Sequence, residues 1–89
     1  MLGYVYILQS LTNNRFYIGS TNDLNRRLKE HNAGKSTYTS FTVPFRLVFS
    51  QSFENLPLAR KVEYWLKSQK DKDFIKRIII EGKIVKVIS

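Results

Sequence analysis

The start of the chain carries two short hydrophobic runs that predict a β-hairpin. Successive side chains of a strand point to opposite faces, and the segment YVYIL divides in this way into two sets: Tyr4, Tyr6 and Leu8 on one face, Val5 and Ile7 on the other. The segment RFYIG, residues 15–19, is also rich in aromatic and β-branched residues. Asn13 and Asn14 lie between the runs, and asparagine tolerates the positive φ of a tight turn. The two runs are therefore expected to pair as antiparallel strands.

The next hydrophobic pattern is helical and predicts a first helix over about Asp23–Ala33. Thr21 or Asn22 can cap its start with a side-chain oxygen, and Gly34 can end it in the left-handed conformation. Residues spaced i, i+3, i+4 and i+7 share one helical face, and here that face is half leucine and half basic: Leu24, Arg27, Leu28 and His31. A helix that only covers a core would not carry these basic residues, unless the arginine extends from the edge of the face and the histidine interacts with the helix dipole.

A hydroxyl-rich connection and a third strand follow. Pro44 disfavours a helix just before it, so Lys35–Thr42 is expected to be a surface loop whose Lys35 and Tyr38 can donate to phosphate oxygens. The run Phe45–Phe53 predicts a strand. Its side chains alternate, which assigns one set to each face: Phe45, Leu47 and Phe49 against Val48. Hydrophobic residues on both faces indicate that helices cover both sides of the sheet.

The second predicted helix carries a carboxylate on its apolar face. Asn55 can cap its start, and the helix is expected to run to residue 68 or 69. Its apolar face includes a glutamate: Ala59, Val62, Glu63 and Leu66. An unpaired buried carboxylate costs several kcal/mol, so Glu63 is expected to meet a cation, a metal ion or water at the edge of a cleft. An ion pair with Lys67, one turn further on, is the alternative to metal binding.

The last hydrophobic run allows two structures. Asp71 can start a third helix that Gly82 ends after about Ile80. The apolar face of that helix would consist of Phe74, Ile75, Ile78 and Ile79. The β-branched residues that follow allow a hairpin about Glu81 and Gly82 instead. The helix is favoured, because its four apolar residues form one continuous stripe.

Composition narrows the class of protein. Eighty-nine residues give one small domain with a modest core, and 43% hydrophobic residues indicate a folded globule rather than a disordered tail. The absence of cysteine excludes disulfides and thiolate chemistry, and with one histidine an ordinary zinc site is not expected. No apolar run is long enough to cross a bilayer and no signal peptide is recognisable, so a cytoplasmic protein is expected.

Charge points to a partner that carries phosphates. Fifteen Lys and Arg residues against seven Asp and Glu residues give a formal net charge of +8, which is typical of proteins that bind nucleic acid. The basic residues are spread over three stretches rather than one flexible arm: Arg26–Lys35, Arg60–Lys76 and Lys83–Lys86. The binding surface is therefore expected to be folded. A membrane surface is the alternative, but no basic amphipathic helix with protruding aromatic residues supports it.

These features together resemble the GIY-YIG nuclease superfamily, specifically its small single-domain members, over nearly the whole chain. The chain is similar to the catalytic domain of the repair excinuclease and to GIY-YIG homing endonucleases. The resemblance rests on YVY at residues 4–6, YIG at residues 17–19, and three later residues: Arg27, His31 and Glu63. Its most specific part is YIGST followed by RRLKEHN. Tyr4 departs from the usual glycine, and Ser20 from the lysine of the repair-excinuclease domains, whose place Lys29 or Lys35 can take.

The resemblance implies an α+β fold, a small three-stranded antiparallel sheet flanked by helices, which forms a single catalytic domain over residues 1–89. It also implies an endonuclease that hydrolyses phosphodiester bonds in DNA, in repair or recombination, with one divalent metal. Mg²⁺ or Mn²⁺ is the expected ion, since Mg²⁺ binds through one or two carboxylates and keeps several waters. Two-metal nucleases need several convergent carboxylates, whereas only Glu63 lies on an apolar face here.

The family pattern also implies a role for each site residue. Tyr6 would act as the general base toward the attacking water and Tyr17 would orient the water or the phosphate, although a tyrosine hydroxyl is a weak base at neutral pH without nearby cations. Arg27 would neutralise charge on the phosphoryl oxygens through its planar fork of donors. His31 would hold a tyrosine or share the proton transfer. Glu63 would bind the metal.

Contacts with the DNA backbone are expected from four further residues: Arg26, Lys29, Lys35 and Tyr38. A catalytic cleft of this size reads mostly backbone, so specificity is expected from a homodimer or a partner subunit. The alternative function is a non-catalytic nucleic-acid-binding module that keeps the nuclease fold, and a third is a protein-interaction or assembly domain. Turnover of DNA separates the first two, and salt-dependent DNA binding separates both of them from the third.

Overall fold

A computed structural model describes residues 1–33, 44–69 and 71–84 of the chain. Its elements follow in the order β1 (Gly3–Ser10), β2 (Phe16–Thr21), α1 (Leu24–Asn32), β3 (Phe45–Phe53), α2 (Leu56–Gln69) and α3 (Lys72–Glu81). The strands form one antiparallel sheet in the order β2–β1–β3. The predicted α+β class, with a three-stranded antiparallel sheet flanked by helices, is confirmed.

The turn between β1 and β2 forms as its asparagines predict. Asn14 has a φ of 63°, in the left-handed region that asparagine tolerates. The Ser10 hydroxyl oxygen accepts hydrogen bonds from the backbone N–H groups of Thr12 at 3.1 Å and of Asn13 at 3.2 Å. These local bonds hold the turn that sets the register in which β1 and β2 pair.

The larger of two hydrophobic clusters, here the α2–α3 cluster, lies between one face of the sheet and the last two helices. Val5 and Ile7 of β1 and Phe49 of β3 contribute from the sheet. The helices contribute further buried side chains: Ala59, Val62, Leu66, Ile75 and Ile78. The helical stripes predicted from the sequence are therefore the faces that are buried.

The smaller cluster, here the α1 cluster, lies on the opposite face of the sheet. Tyr6, Leu8 and Phe45 are buried in it, and Leu24 and Leu28 of α1 pack against it. Because β1 is the central strand of the sheet, its alternate side chains supply both clusters. The division of β1 into two faces is as predicted.

In β3 one expectation is wrong. The alternation of the sequence placed Phe45 and Phe49 on the same face, but Phe45 packs in the α1 cluster and Phe49 in the α2–α3 cluster. The cause is a one-residue shift in the β1–β3 pairing at Val48, between the partners of Ile7 and Leu8. A β-bulge adds one residue to a strand and so reverses the alternation beyond it.

The start of α1 also differs from the prediction. Asp23, rather than Thr21 or Asn22, is the capping residue, because its side chain accepts a hydrogen bond from the backbone N–H three residues on at 3.1 Å. The Thr21 hydroxyl accepts a hydrogen bond from the Asp23 N–H at 3.0 Å and so supports the cap. At the other end Ala33 caps α1 in the right-handed conformation, and Gly34 lies outside the described residues.

The other helix ends agree with the sequence. The Asn55 side chain accepts a hydrogen bond from Leu58 N–H at 2.9 Å and caps α2. Asp71 caps α3 by accepting from two N–H groups of its first turn at 3.0 and 3.3 Å, and Gly82 ends that helix with a φ of 75°. The helical alternative is therefore correct for residues 72–81. None of the helices in the described segments is long and apolar enough to cross a membrane.

Candidate active site

An open groove of about 1170 Å³ runs along β2 and is bordered by α1, α2 and α3. Because β2 is an edge strand of the sheet, side chains from both of its faces reach this groove, and residues 16–20 all line it. All five residues to which the family pattern gives a catalytic or metal-binding role line it as well: Tyr6, Tyr17, Arg27, His31 and Glu63. The fold thus brings together residues that are up to 57 positions apart in the sequence.

The Tyr6 hydroxyl is the central polar atom on the α1 side of the groove. The residue is only 4% exposed. Its hydroxyl lies 3.2 Å from Nε2 of His31 and accepts a hydrogen bond from Nε of Arg27 at 3.4 Å. The two residues of α1 that broke the apolar stripe therefore meet at one tyrosine, since Arg27 and His31 are one helical turn apart.

The imidazole ring of His31 is buried beside Tyr6. It is 5% exposed and packs edge-on against the rings of Tyr6 and Phe45, with ring centres 6.0 and 5.9 Å away. Burial is the main reason why the pKa of His31 lies below its ordinary value; the charge of Arg27 lowers it further and that of Glu30 opposes the shift. The simple role of a cation at the helix end is thus not the one that the structure favours. In the tautomer protonated at Nδ1, Nε2 accepts the Tyr6 hydroxyl proton.

Arg27 bridges the tyrosine and the open side of the groove. Its pKa is raised mainly by the hydrogen bond to Tyr6, against the effect of burial, and Glu30 also raises it. Its Nη1 lies 3.3 Å from the Glu30 carboxylate, and its side chain is 38% exposed. A guanidinium has five N–H donors, so Arg27 keeps donors for a ligand in the groove while its Nε holds Tyr6.

Gly19 of the YIG segment provides the space in which the Tyr6 ring lies. It pairs with Tyr6 across β1 and β2. A Cβ at Gly19 would lie 2.5 Å from Cζ of Tyr6 and even closer to the hydroxyl oxygen, which is far inside van der Waals contact. Sequence reasoning assigned no role to Gly19. The signal in the sequence was a glycine inside a strand, which often marks the close approach of another group. The register of β1 and β2 then sets this glycine beneath the tyrosine.

Tyr17 lies on the same face of β2 as Gly19 and also lines the groove. Its ring packs edge-on against Phe45, with ring centres 5.2 Å apart, and it packs at the margin of the α1 cluster. This position depends on the β-bulge, because without the shift in β3 Phe45 would point to the other face. The bulge therefore helps to build the wall that supports both Tyr17 and His31.

Glu63 lies on the α2 side of the groove and has two partners. The Ser20 hydroxyl donates to Oε1 of Glu63, and Nζ of Lys67 lies 2.6 Å from Oε2. The Glu63 side chain is 20% exposed, so the carboxylate sits at the edge of the core rather than inside it. The ion pair that the i,i+4 spacing allowed is therefore present. The role of Ser20 was not anticipated, because the family pattern marked it only as a missing lysine.

The basic residues around the groove differ in part from those predicted. Four cations besides Arg27 line it: Arg15, Lys67, Lys72 and Lys76. Arg26 instead donates to the Asn22 side chain at 3.2 Å, and neither it nor Lys29 is among the described residues that line the groove. Lys35 and Tyr38 lie outside the described residues. Lys72 and Lys76 could have been found from the sequence, because they are spaced i,i+4 on α3 and so share a face.

The Glu63 carboxylate and the Ser20 hydroxyl, on the α2 side of the groove, are oxygen ligands that fit one divalent metal ion. Within residues 1–33, 44–69 and 71–84, no group of three or more His, Cys, Asp or Glu side chains comes together. One carboxylate and a neighbouring hydroxyl suit Mg²⁺ or Mn²⁺, which prefer oxygen ligands and keep several waters. The Lys67 side chain is 54% exposed, so it can leave the carboxylate without opening the core.

Comparison with known proteins identifies the family. The family model described as the GIY-YIG catalytic domain matches residues 2–77. The chain therefore belongs to the GIY-YIG catalytic domain family, and the family predicted from the sequence is confirmed.

Several proteins with similar sequences carry the name UPF0213. The chain is 41% identical over 71 residues to the UPF0213 protein YazA of Bacillus subtilis, which covers 79% of this chain and 70% of that protein. It is 36% identical to the UPF0213 protein YsiG of Lactococcus lactis, over 97% of this chain and 86% of that protein. The solution NMR structure of the UPF0213 protein BH0048 from Bacillus halodurans matches with a TM-score of 0.57 and 35% identity, over 92% of this chain and 87% of that chain. The fold is thus shared with a solved structure.

Proposed function

We propose that this chain is an endonuclease that hydrolyses phosphodiester bonds in DNA and depends on one divalent metal ion. The observation that carries the proposal is the Tyr6 hydroxyl, which lies 3.2 Å from Nε2 of His31 and 3.4 Å from Nε of Arg27, in the groove that Glu63 also lines. Aromatic packing alone does not require a hydroxyl held between a neutral base and a permanent cation. Such an arrangement suits proton transfer, which needs a base within hydrogen-bond reach of the proton that it takes. Membership of a catalytic-domain family supports the same class of reaction.

Tyr6 acts as the general base in this proposal, and His31 is its proton acceptor. The attacking water gives a proton to the Tyr6 oxygen while the tyrosine proton passes to Nε2 of His31, 3.2 Å away. Burial lowers the pKa of His31 and so favours the neutral ring, and in the tautomer protonated at Nδ1 its Nε2 can take this proton. Negative charge that builds up on the Tyr6 oxygen during this transfer is stabilised by the adjacent charge of Arg27. Together the two α1 residues provide the help that a tyrosine needs to act as a base.

Arg27 and Tyr17 act on the phosphoryl group. Arg27 is partly exposed to the groove, and the N–H donors that it does not use for Tyr6 and Glu30 can bind two phosphoryl oxygens at once. Charge on those oxygens grows in the transition state, so a fixed guanidinium contributes most there. Tyr17 lines the same groove and orients the water or the phosphate through its hydroxyl.

Glu63 would hold the metal, with the Ser20 hydroxyl beside it. A Mg²⁺ or Mn²⁺ ion bound there would supply Lewis-acid stabilisation of the charge that develops in the reaction. The chain itself brings the carboxylate to the edge of β2, opposite the Tyr6 side of the groove, so that both groups face one substrate.

DNA is the proposed substrate, in repair or recombination, and residues 1–89 act as a single catalytic domain. The cations of the groove contact the DNA backbone together with the residues predicted from the sequence: Arg26, Lys29, Lys35 and Tyr38. Contacts with the DNA backbone position a protein but carry no sequence information, so a homodimer or a partner subunit is proposed to supply specificity.

Cleavage of supercoiled, branched and flapped DNA with Mg²⁺, Mn²⁺ or a chelator tests the proposal. We expect cleavage only with a divalent ion, and a large loss in Tyr6→Phe, which keeps the ring but removes the hydroxyl. Tyr4→Phe is the matched control, because Tyr4 lies two residues earlier on the same strand and is not among the described residues lining the groove. Salt-sensitive DNA binding by the folded protein without any turnover would instead favour the non-catalytic module, in which Lys67 is the permanent partner of Glu63.

A further inference from the structure

We propose that Lys67 is a built-in competitor of the metal ion, which leaves Glu63 when a phosphate of the bound DNA accepts it. The Lys67 ammonium lies 2.6 Å from Oε2 of Glu63, in direct contact with the oxygen that a divalent cation would need. The inference rests on the proposed function, since it takes Glu63 as the metal ligand. It adds a residue that links metal binding to substrate binding.

The exposure of the two partners shows which of them can move. The Glu63 side chain is 20% exposed and its other oxygen accepts a hydrogen bond from Ser20, whereas the Lys67 side chain is 54% exposed. The carboxylate therefore keeps its place on α2 while the lysine can swing on its flexible stem. An i,i+4 pair of this exposure is weak, so a stronger cation or a new partner for the lysine can displace it.

The groove offers Lys67 a second partner when DNA is bound. Lys67 lines the groove along with Lys72 and Lys76 of α3, and no ion pair engages either of these in the described part of the chain. A DNA backbone that binds to these two lysines brings phosphates close to Lys67. These phosphates then compete with Glu63 for the Lys67 ammonium group. Release of Lys67 then frees Oε2 of Glu63 for the metal ion and takes the positive charge of the ammonium away from the metal position.

The thermodynamic consequence is a reciprocal coupling. If DNA binding frees Glu63, DNA must raise the affinity for metal, and metal must raise the affinity for DNA by the same factor. Part of this coupling arises because phosphate oxygens themselves attract the metal. The part that depends on Lys67 is separable, because it disappears when the lysine is removed.

Mn²⁺ titration of the free protein, followed by electron paramagnetic resonance of unbound Mn²⁺, is the first test. We expect Lys67→Met to raise the Mn²⁺ affinity by about three- to tenfold, because it removes a competing ion pair and a nearby charge. Lys76→Met is the matched control, since it removes a groove lysine that has no ion pair in the described residues, and it should change the affinity by less than about twofold. Glu63→Gln should lose the site.

Coupling with DNA is the second test and uses a fluorescently labelled hairpin DNA in a Tyr6→Phe background, in which turnover is slow. The rise in DNA affinity on adding Mn²⁺ is measured by anisotropy with and without Lys67→Met. Lys67→Met is expected to raise the Mn²⁺ affinity of the DNA-free protein by a certain factor. We expect the coupling between Mn²⁺ and DNA in that variant to be smaller by the same factor. Equal coupling in both proteins would show that Lys67 stays on Glu63 and would overturn the inference.

The tests also separate this inference from the proposed function. Loss of the Mn²⁺ site in Glu63→Gln, with unchanged affinity in Lys67→Met, would remove the role of Lys67 and leave Glu63 as the metal ligand. Unchanged Mn²⁺ binding in Glu63→Gln would overturn both, because the metal would then bind elsewhere. Circular dichroism of each variant confirms that the helices remain folded.

Discussion

On one face of the sheet Ile7 packs among the aliphatic side chains of α2 and α3, and on the other face its neighbour Tyr6 contacts His31 and Arg27 of α1. Every buried side chain of the α2–α3 cluster is hydrophobic. The α1 side buries a histidine and a tyrosine hydroxyl instead, and each has a hydrogen-bond partner. Burial of apolar surface stabilises the fold, whereas a buried polar pair adds little net stability. One strand thus separates the residues that hold the fold from those proposed for chemistry.

Glu63 shows where this separation ends. It belongs to the helix that supplies the α2–α3 cluster, yet it lies at the rim, against Ser20 of β2. Residues of both faces can reach one groove at an edge strand, because no further strand covers that edge. The groove therefore runs along the edge strand β2, and Tyr6 reaches it from the neighbouring central strand.

The largest effect on stability is expected from Ile7→Ala. Ile7 is completely buried, and removing such a side chain leaves a cavity that costs about 2–5 kcal/mol. Urea denaturation measures this loss. Tyr6→Phe, one position earlier, should cost below about 1.5 kcal/mol because only a hydrogen-bonding hydroxyl is removed. Similar losses of stability in the two variants would contradict the division between the faces.

Arg27→Ala is expected to lower the single-turnover cleavage rate at saturating enzyme by about 10²-fold or more, while DNA affinity changes less. The reason is that Arg27 contacts Tyr6 and faces the groove, which is the proposed site of phosphodiester hydrolysis. Arg26→Ala is the control, since Arg26 bonds to Asn22 on the exposed side of the helix. It should weaken binding and reduce the salt slope by about one with little loss of rate. Matching losses of rate would withdraw the catalytic role of Arg27.

Gly19→Ala is expected to lower the cleavage rate by about tenfold, because the added Cβ displaces the Tyr6 hydroxyl from its partners. Gly82→Ala serves as the control for a glycine substitution. Gly82 has a positive φ and open space around it, so alanine there should reduce stability by about 1 kcal/mol and leave the rate unchanged. A Gly19→Ala protein with full activity would show that the position of Tyr6 tolerates displacement and is not critical.

The smallest effect expected is a pH dependence of stability that arises from the α1 side. Because burial lowers the pKa of His31 in the folded protein, the unfolded chain binds a proton at this residue at a higher pH. The contribution to stability is therefore complete above about pH 6.5, the ordinary histidine pKa, and is lost as the pH falls through the lowered value. Denaturation between about pH 7 and pH 5 should show this loss in the wild type and not in His31→Gln. An equal loss in both proteins would assign it to other groups.

Elements that depend on local chemistry could be predicted from the sequence. The turn at Asn13 and Asn14, the caps at Asn55 and Asp71 and the left-handed end at Gly82 all form as expected. Each of them needs only contacts within a few residues. The α1 cap was assigned to the wrong residue because three neighbouring polar side chains can all cap, and the path of the backbone selects among them.

Long-range contacts could be predicted only in part. The family pattern identified five residues that all line one groove, because their chemical types and spacing are unusual for a core. It did not identify Gly19, Ser20 or the groove lysines of α3, since their roles arise from strand register and from the packing of helices against the edge of the sheet. The predicted roles of Lys35 and Tyr38 stay predictions.

The sequence by itself determined which residues of β1 face which side and which helical stripes are buried, because the periods of strands and helices are properties of the local backbone. It also determined the family, through residues whose chemistry a simple core would not use. Only the tertiary structure decided that Phe45 supports the site, that Arg27 and His31 meet at Tyr6, and that Glu63 is held by Lys67. The physical reason is that a bulge, a strand register and an ion pair depend on which of several allowed partners the whole fold brings within a few ångströms.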